Sequence, residues 1–396
     1  MSEAFGIEHE HASVMLVTRN LPPLRGGMER LNLHIALELS AQFRVQVVGP
    51  NGCREALPAG IEVQEVYVRP LWRFLLQALF QALRLARKMK PRVVLAGSGL
   101  TAPIAVLAAR LSGGHSAVYA HGLDLVVKHR LYRILWLPFL RHCDVCIVNS
   151  RHTAGLAIQA GIRSERITII HPGVRLPDEN GYDCGENFRQ SHGLVDCKLL
   201  LSVGRLTRRK GLLEFVRHVL PHIVLVHADA VLMVIGDEAP DALNGKGIGC
   251  AERIRACARE LGLDQHVLIL GPRGDKELGA AYDAADLCVF PLRNIPGDVE
   301  GFGMVAIEAA AHGLPTVAFD VGGVADAIAD GSSGWLVPAG DYAGMVKKIV
   351  RALHTGRTPA MRAKARHFAA SFEWRHFGSR LRSEFQQLIT GEHSRL

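Results

Sequence analysis

GDVEGFGMVAIEAAAHGLPTVAFDVGG, residues 297–323, follows the apolar run LCVFPL and reads in order as loop, helix, turn and strand. Gly301 and Gly303 let the backbone come close to a ligand at the head of the helix-forming run VAIEAAAH. Amides at such a helix start point outward and meet an anion well. Glu300 and Glu308, with seven residues between them, put one carboxylate in the loop and one inside the helix. The first is suited to accept hydrogen bonds from sugar hydroxyls, the second to take the two hydroxyls of a ribose. Strand, glycine loop, helix and strand make one unit of a parallel sheet with helices packed on it.

The same alternation runs through the chain. Apolar, β-branched runs predict strands at 14–17, 45–48, 93–95, 117–120, 146–148 and 168–170 in the first half. In the second half they predict strands at 199–203, 231–235, 267–270, 287–290 and 316–319. A length of 396 residues exceeds one ordinary core and calls for two domains. LPDENGYDCGENFRQSHG, 176–193, is polar and glycine-containing and reads as the connection. The expected division is a polar tail over 1–12, a first domain over 13–180, a linker over 181–193 and a second domain over 194–375. A last helix follows over 376–396.

Residues with chemical character cluster just after the strands, where open parallel sheets bind ligands. LLLSVGRLTRRKG, 199–211, ends a strand at Gly204 and then presents Arg205, Arg208, Arg209 and Lys210. Arg205 and Lys210 at that place can neutralise a diphosphate whose charge grows as it departs, which lowers a barrier rather than merely tightening binding. LRGGMER, 24–30, puts Gly26 and Gly27 between a strand and a helical run, as a phosphate-approaching loop would. It is not the G-x-G-x-x-G pattern of a dinucleotide-binding dehydrogenase. VYAHGLD, 118–124, puts His121 at a strand end, placed to bond a sugar hydroxyl or the reacting centre.

Composition narrows the field. A hydrophobic share of 48% and a charged share of 21% describe a globular protein. No apolar run approaches the roughly 20 residues that span a bilayer. The acidic, polar start MSEAFGIEHEHAS is unlike a secretory signal, so a cytoplasmic location is expected. Cys143 and Cys146 form a C-x-x-C pair with no second pair near it, which predicts two buried thiols and no zinc. The net charge of +8 sits mostly in residues 1–190, with 22 Lys+Arg against 15 Asp+Glu. With only 6% aromatics and no stacking motif, nucleic acid is not the expected partner. PLWRFLLQALFQALRLARKMKPR, 70–92, is amphipathic at helical spacing with a cationic end. It reads either as a core-packing helix or as a surface that touches anionic lipid.

RGGMER, HGLD, NSRHT, HPGV, GRLTRRKG, EGFGMVAIE, HGLPTVAFDVGG and DGSSGWLVPAGD occur in one order along the chain. That ordered series, covering nearly all of 13–380, resembles the retaining glycosyltransferases of family 4. The resemblance implies an α/β protein of the GT-B fold, two Rossmann-like doubly wound domains facing across a cleft. It implies Arg205 and Lys210 on the donor diphosphate, Glu300 on the donor sugar and Glu308 on the nucleotide ribose. It implies backbone contacts from Gly301, Phe302, Gly303 and Met304, His121 beside the sugar, and Gly26 and Gly27 near the donor phosphates or the acceptor. His121, Glu300, Arg205 and Lys210 would be the catalytic set, with no metal and no cofactor. The expected reaction moves a hexosyl group, mannosyl or rhamnosyl, from a nucleoside-diphosphate sugar, GDP-sugar favoured over UDP-sugar. The acceptor would be a lipid-linked or cell-surface glycan, such as lipopolysaccharide or exopolysaccharide, reached at the inner face of the membrane. Nucleotide-sugar epimerases and phosphorylases share the fold and are the alternative. Two departures stand out: Glu238 occupies a position where the family often has glycine, and DALNGKGIGC, 241–250, looks inserted.

Overall fold

The computed structural model describes residues 12–24, 26–177, 183–238 and 249–391. Nearly all of the 1–12 tail, Arg25 and most of the 241–250 stretch lie outside them. The chain folds as two units, one comprising Met1–Gly173 with Trp374–Leu396 and the other Val174–Glu373.

The first unit is built on a seven-stranded sheet in the order β3-β2-β1-β4-β5-β6-β7. Its strands are β1 (Ser13–Val17), β2 (Arg44–Pro50), β3 (Glu62–Val66), β4 (Val93–Ala96), β5 (His115–Ala120), β6 (Val145–Val148) and β7 (Ile167–Ile169). All pairs are parallel, with Val14 opposite Val45 on one side and Val93 on the other. Central strands of this kind are covered on both faces, which is why they are continuously apolar. On one face Met15, Val17 and Val94 pack with the helices Leu71–Met89 and Ala102–Ser112, whose facing residues include Ala78, Ala82, Ala105 and Ala109. The small side chains let the two helices lie close. The helix Gly27–Ser40 packs with the last helix, Trp374–Thr390, joined by Arg382 on Glu38 at 2.9 Å and a 3.7 Å stack of His34 on Trp374.

The second unit carries six parallel strands in the order β10-β9-β8-β11-β12-β13. These are β8 (Lys198–Val203), β9 (Ala230–Ile235), β10 (Val267–Gly271), β11 (Leu287–Phe290), β12 (Thr316–Phe319) and β13 (Gly334–Val337). Leu200, Leu232 and Val234 face the helices Leu212–His218 and Cys250–Glu260, while Leu199, Leu201 and Met233 face the opposite layer.

Two strands, β3 and β13, were not expected from sequence, and both are sheet edges. β3 reads EVQEV, where alternation with glutamates conceals a half-covered strand. The segment expected as a linker over 181–193 is corrected by the structure. Asp183–Ser191 is a helix of the second unit, packed on the helix Asp275–Ala284. Its polar composition hides two anchors. Phe188 is buried in the core, and the Arg189 guanidinium donates to the carbonyls of Ala284 and Cys197 and to Asp286 at 2.8–2.9 Å. Cys143 and Cys146 are buried free thiols, and burial pushes the Cys143 thiol up to about 12, so neither is poised for metal or redox chemistry.

Candidate functional site

In the second unit, β8 delivers the chain to Gly204, and Leu206 then donates to the Asp237 carbonyl at 2.8 Å, fixing the cationic turn beyond the strand end. The turn Arg208–Lys210 closes at Gly211, whose φ of +69° and contact with the Pro291 carbonyl leave no room for a Cβ. Lys210 therefore points back over the sheet end. Its Nζ donates to Glu300 Oε2 at 2.9 Å and lies 4.5 Å above the Phe290 ring. Arg209 also donates to Glu300 Oε2, and its Nε donates to Asp298 Oδ1 at 2.9 Å. Arg205 is exposed, and its charge is felt at Lys210.

Glu300 is held from behind as well. Its carbonyl accepts from Gly323 N at 2.9 Å and abuts Gly322, a left-handed glycine at φ +64° with no space for a side chain. Gly303, at φ +97°, starts the helix Met304–Ala311, and Phe302 is buried against Phe372. Glu308, one turn along that helix, accepts from the Tyr282 hydroxyl at 3.1 Å. The structure thus brings Lys210 and Glu300 into contact and sets Glu308 on the helix that leaves the same loop. It also shows Arg209, not singled out from sequence, as a second side chain that ties the two loops together, through both Asp298 and Glu300.

Burial alone would raise the Glu300 carboxyl, but the Lys210 and Arg209 charges overcome it and hold the group at about 2. A depressed carboxyl contributes stability that is complete above its ordinary value of 4.5 and drains away as pH falls from there toward 2. Urea unfolding compared between wild type and Glu300→Gln should show a gap that is flat above pH 4.5 and narrows below it. A constant gap down to acid pH would show that the Glu300 charge does not stabilise the fold.

Glu238 has a structural use at its unusual position. Its carboxylate accepts from Gly249 N at 2.9 Å and Ala251 N at 3.2 Å, capping the helix Cys250–Glu260.

In the first unit, His121 follows β5 and is only 8% exposed. Its Nε2 lies 2.9 Å from the Gly97 carbonyl. Because a carbonyl only accepts, Nε2 carries a proton in this contact. The Asp124 carboxylate accepts from the His121 amide at 3.1 Å, and the Tyr119 ring lies 5.2 Å away. Asn32, fully buried on the helix Gly27–Ser40, donates to the same Gly97 carbonyl at 3.3 Å and to Met28 O at 2.9 Å. Sequence reading missed Asn32 and Gly97. A lone asparagine between Leu31 and Ile35, inside an apolar helix face, is the signal that marks the first. Gly26 caps that helix and Gly27 begins it, so the helix that starts at the Gly26–Gly27 turn is tied through Asn32 to the Gly97 carbonyl that His121 also meets.

Among the described residues no group of three or more His, Cys, Asp or Glu is placed to hold a metal ion. No described helix is long and apolar enough to cross a membrane.

Comparison with known proteins identifies the chemistry. A model described as glycosyl transferases group 1 matches residues 197–355, and one described as glycosyltransferase family 4 matches 25–177. A GDP-mannose-dependent α-(1-6)-phosphatidylinositol monomannoside mannosyltransferase of Mycolicibacterium smegmatis is 29% identical over 392 residues, 93% of this chain and 97% of that protein. A D-inositol 3-phosphate glycosyltransferase of Corynebacterium urealyticum is 31% identical over 270 residues, 65% of this chain but only 60% of that protein's length. Among solved structures, Anabaena HepE in complex with UDP superposes with a TM-score of 0.75 at 19% identity, over 96% of this chain and all of that one. A glycosyltransferase of Rickettsia africae gives 0.77 at 17% identity, over 96% and 99%. The strand orders, the ordered motifs and these matches agree: the chain belongs to the family 4 glycosyltransferases and has the GT-B fold.

Proposed function

We propose that the chain transfers a hexosyl group, mannosyl or rhamnosyl, from a nucleoside-diphosphate sugar to a lipid-linked or cell-surface glycan, with retention and without a metal. One observation carries the donor assignment. Lys210, Arg209 and the nearby Arg205 outnumber Glu300 and Asp298 beside a glycine loop that opens a helix, so the surplus charge there is positive and suits a diphosphate. Both cations bonded to Glu300 meet Oε2, and Oε1 takes a sugar hydroxyl. Glu308 takes the ribose, the amides of Gly301 to Met304 back the donor, and His121 with Gly26 and Gly27 serves the sugar and acceptor. The bond from the anomeric carbon to the phosphate oxygen breaks, the acceptor oxygen bonds to that carbon on the same face, and its proton passes to the departing phosphate. Lys210 and Arg205 stabilise the charge that grows on the diphosphate.

The Mycolicibacterium smegmatis relative uses GDP-mannose on a phosphatidylinositol mannoside, which supports a GDP-sugar and an acceptor carried by lipid. UDP and UDP-glucose in the Anabaena neighbour keep UDP-sugars as the rival donor. With such an acceptor the enzyme works at the cytoplasmic side of a membrane, where the lipid part of the acceptor lies; lipopolysaccharide and exopolysaccharide precursors are the candidate acceptors.

Thermal unfolding with GDP, UDP, ADP and dTDP is the first test. A ligand at a hundred times its Kd adds about 2.7 kcal/mol, enough to raise the melting temperature visibly. GDP should give the largest shift, and the shift should vanish in Lys210→Met. No shift with any diphosphate would overturn the donor site. Product analysis then separates transfer from epimerisation, since an epimerase acts without acceptor and a retaining transferase gives a product with the donor's anomeric configuration.

A further inference from the structure

The helix Leu71–Met89 has two apolar faces, and only one is used. Phe74, Ala78, Ala82, Leu85 and Ala86 are buried in the core of the first unit. On the other side Trp72, Leu76 and Phe80 recur every four residues and are 64%, 61% and 66% exposed. Three large side chains left in water in one row form a patch rather than scattered exposure. The row continues into Leu83, Arg84, Arg87 and Lys88, which with Phe80 line a groove of about 470 Å³. Lys88 also borders a second groove of about 840 Å³, lined by Arg44, Lys90 and Arg92 together with Phe43 and Ile389. Apolar row and cationic grooves are therefore continuous.

Along the chain, the charge of this segment has one sign. Between Glu65 and Asp124 the chain has no Asp or Glu, while Arg69, Arg73, Arg84, Arg87, Lys88, Lys90, Arg92 and Arg110 fall inside that interval. Near the head of the helix the Arg73 guanidinium lies 4.5 Å over the half-exposed Tyr67 ring.

We propose that this face of the first unit docks on a bilayer containing anionic phospholipid. Trp72, Leu76 and Phe80 enter the boundary between headgroups and acyl chains, and Arg84, Arg87, Lys88 and Lys90 meet lipid phosphates. A second copy of the chain fits poorly, because a two-fold contact would set this cationic surface against itself. A nucleic acid would satisfy the cations but leave the apolar row in water. A bilayer with negative headgroups satisfies both. The contact needs no donor and no acceptor, so it stands or falls apart from the transfer reaction.

The test is co-sedimentation of the full chain with vesicles of phosphatidylcholine alone and of phosphatidylcholine with phosphatidylglycerol in equal parts, across a salt series. Wild type should bind the anionic vesicles, should bind the neutral ones far more weakly, and should weaken as salt rises. Each neutralised cation should cost about fivefold in partition, so Arg84→Gln, Arg87→Gln and Lys88→Gln together should cost roughly a hundredfold. Trp72→Ser with Phe80→Ser should abolish the part of the binding that survives high salt. All these side chains are exposed, so the melting temperature should not move. Trp72 fluorescence should shift to the blue on anionic vesicles, a change absent in Trp72→Phe. Equal binding to both vesicle types, or wild-type binding by both sets of variants, would overturn the proposal. So would a dimer that dissociates in Phe80→Glu while no vesicle is bound, since the row would then be a contact between copies.

Discussion

Lys210→Met should lower kcat by roughly 10²–10³-fold, the loss typical when one fixed charge-stabilising donor is removed from a transition state, and it should leave the protein folded. The second half of that expectation rests on the balance at Lys210. Burial pulls its ammonium down, Glu300 pushes it up, Arg209 and Arg205 pull it down again, and the net direction is down. The folded protein thus carries this charge at a disadvantage relative to water. Methionine keeps the stem over the Phe290 ring and removes the charge, and Glu300 retains Arg209. Replacing a buried charge by an apolar side chain of similar volume is often close to neutral when the partner stays paired. A cation held at the end of a parallel strand against the pull of burial is the mark of a group retained for a ligand. Steady-state rates with the preferred donor, alongside the melting temperature, decide it. A variant with near-normal kcat would remove Lys210 from the reaction, and one that fails to fold would show that the lysine holds the two loops together.

Most of the architecture was legible because parallel strands covered on both faces carry long apolar runs. Val45–Val48 or Leu199–Val203 cannot be mistaken for anything solvated. What stayed hidden was half-covered or tertiary. Glu62–Val66 needs a partner on one side only and keeps its glutamates. The helix Asp183–Ser191 owes its place to the buried Phe188 and to Arg189, whose partners Ala284 and Asp286 lie about a hundred positions away. The site divides in the same way. Glu300, Lys210 and His121 stand out as candidates through position after a strand, and the structure brings the first two into contact. Asn32 acts through Gly97, 65 residues on, and no local pattern announces that pairing. Arg209 resembles its solvated neighbour Arg208 in every local respect. The available clue was the distant pair Asp298 and Glu300, two carboxylates one residue apart that burial would leave needing cations.

Arg209→Met should be far more damaging to the stability of the second unit than Lys210→Met, and the contrast between them is its test. Here the balance has the opposite sign: burial pulls the guanidinium down, but Glu300 and Asp298 outweigh it and hold it above its ordinary value. Only 10% of the side chain is exposed, and it bridges the turn Arg208–Lys210 to the loop before the helix Met304–Ala311. Removing it leaves Glu300 with Lys210 alone and strands Asp298, whose side chain is 34% exposed and can recover some hydration. Breaking a buried pair from one side costs about 3–5 kcal/mol, and partial hydration of Asp298 places this case toward the lower end. At about 2–4 °C per kcal/mol for a unit of this size, the melting temperature should fall by roughly 10 °C. Arg209→Lys should recover only part of it, because an ammonium cannot span both carboxylates as the planar fork does. Equal losses for Arg209→Met and Lys210→Met would mean that the two cations are interchangeable supports of Glu300. A large loss confined to Arg209 would assign them separate work, the arginine shaping the loops and the lysine left to meet the diphosphate.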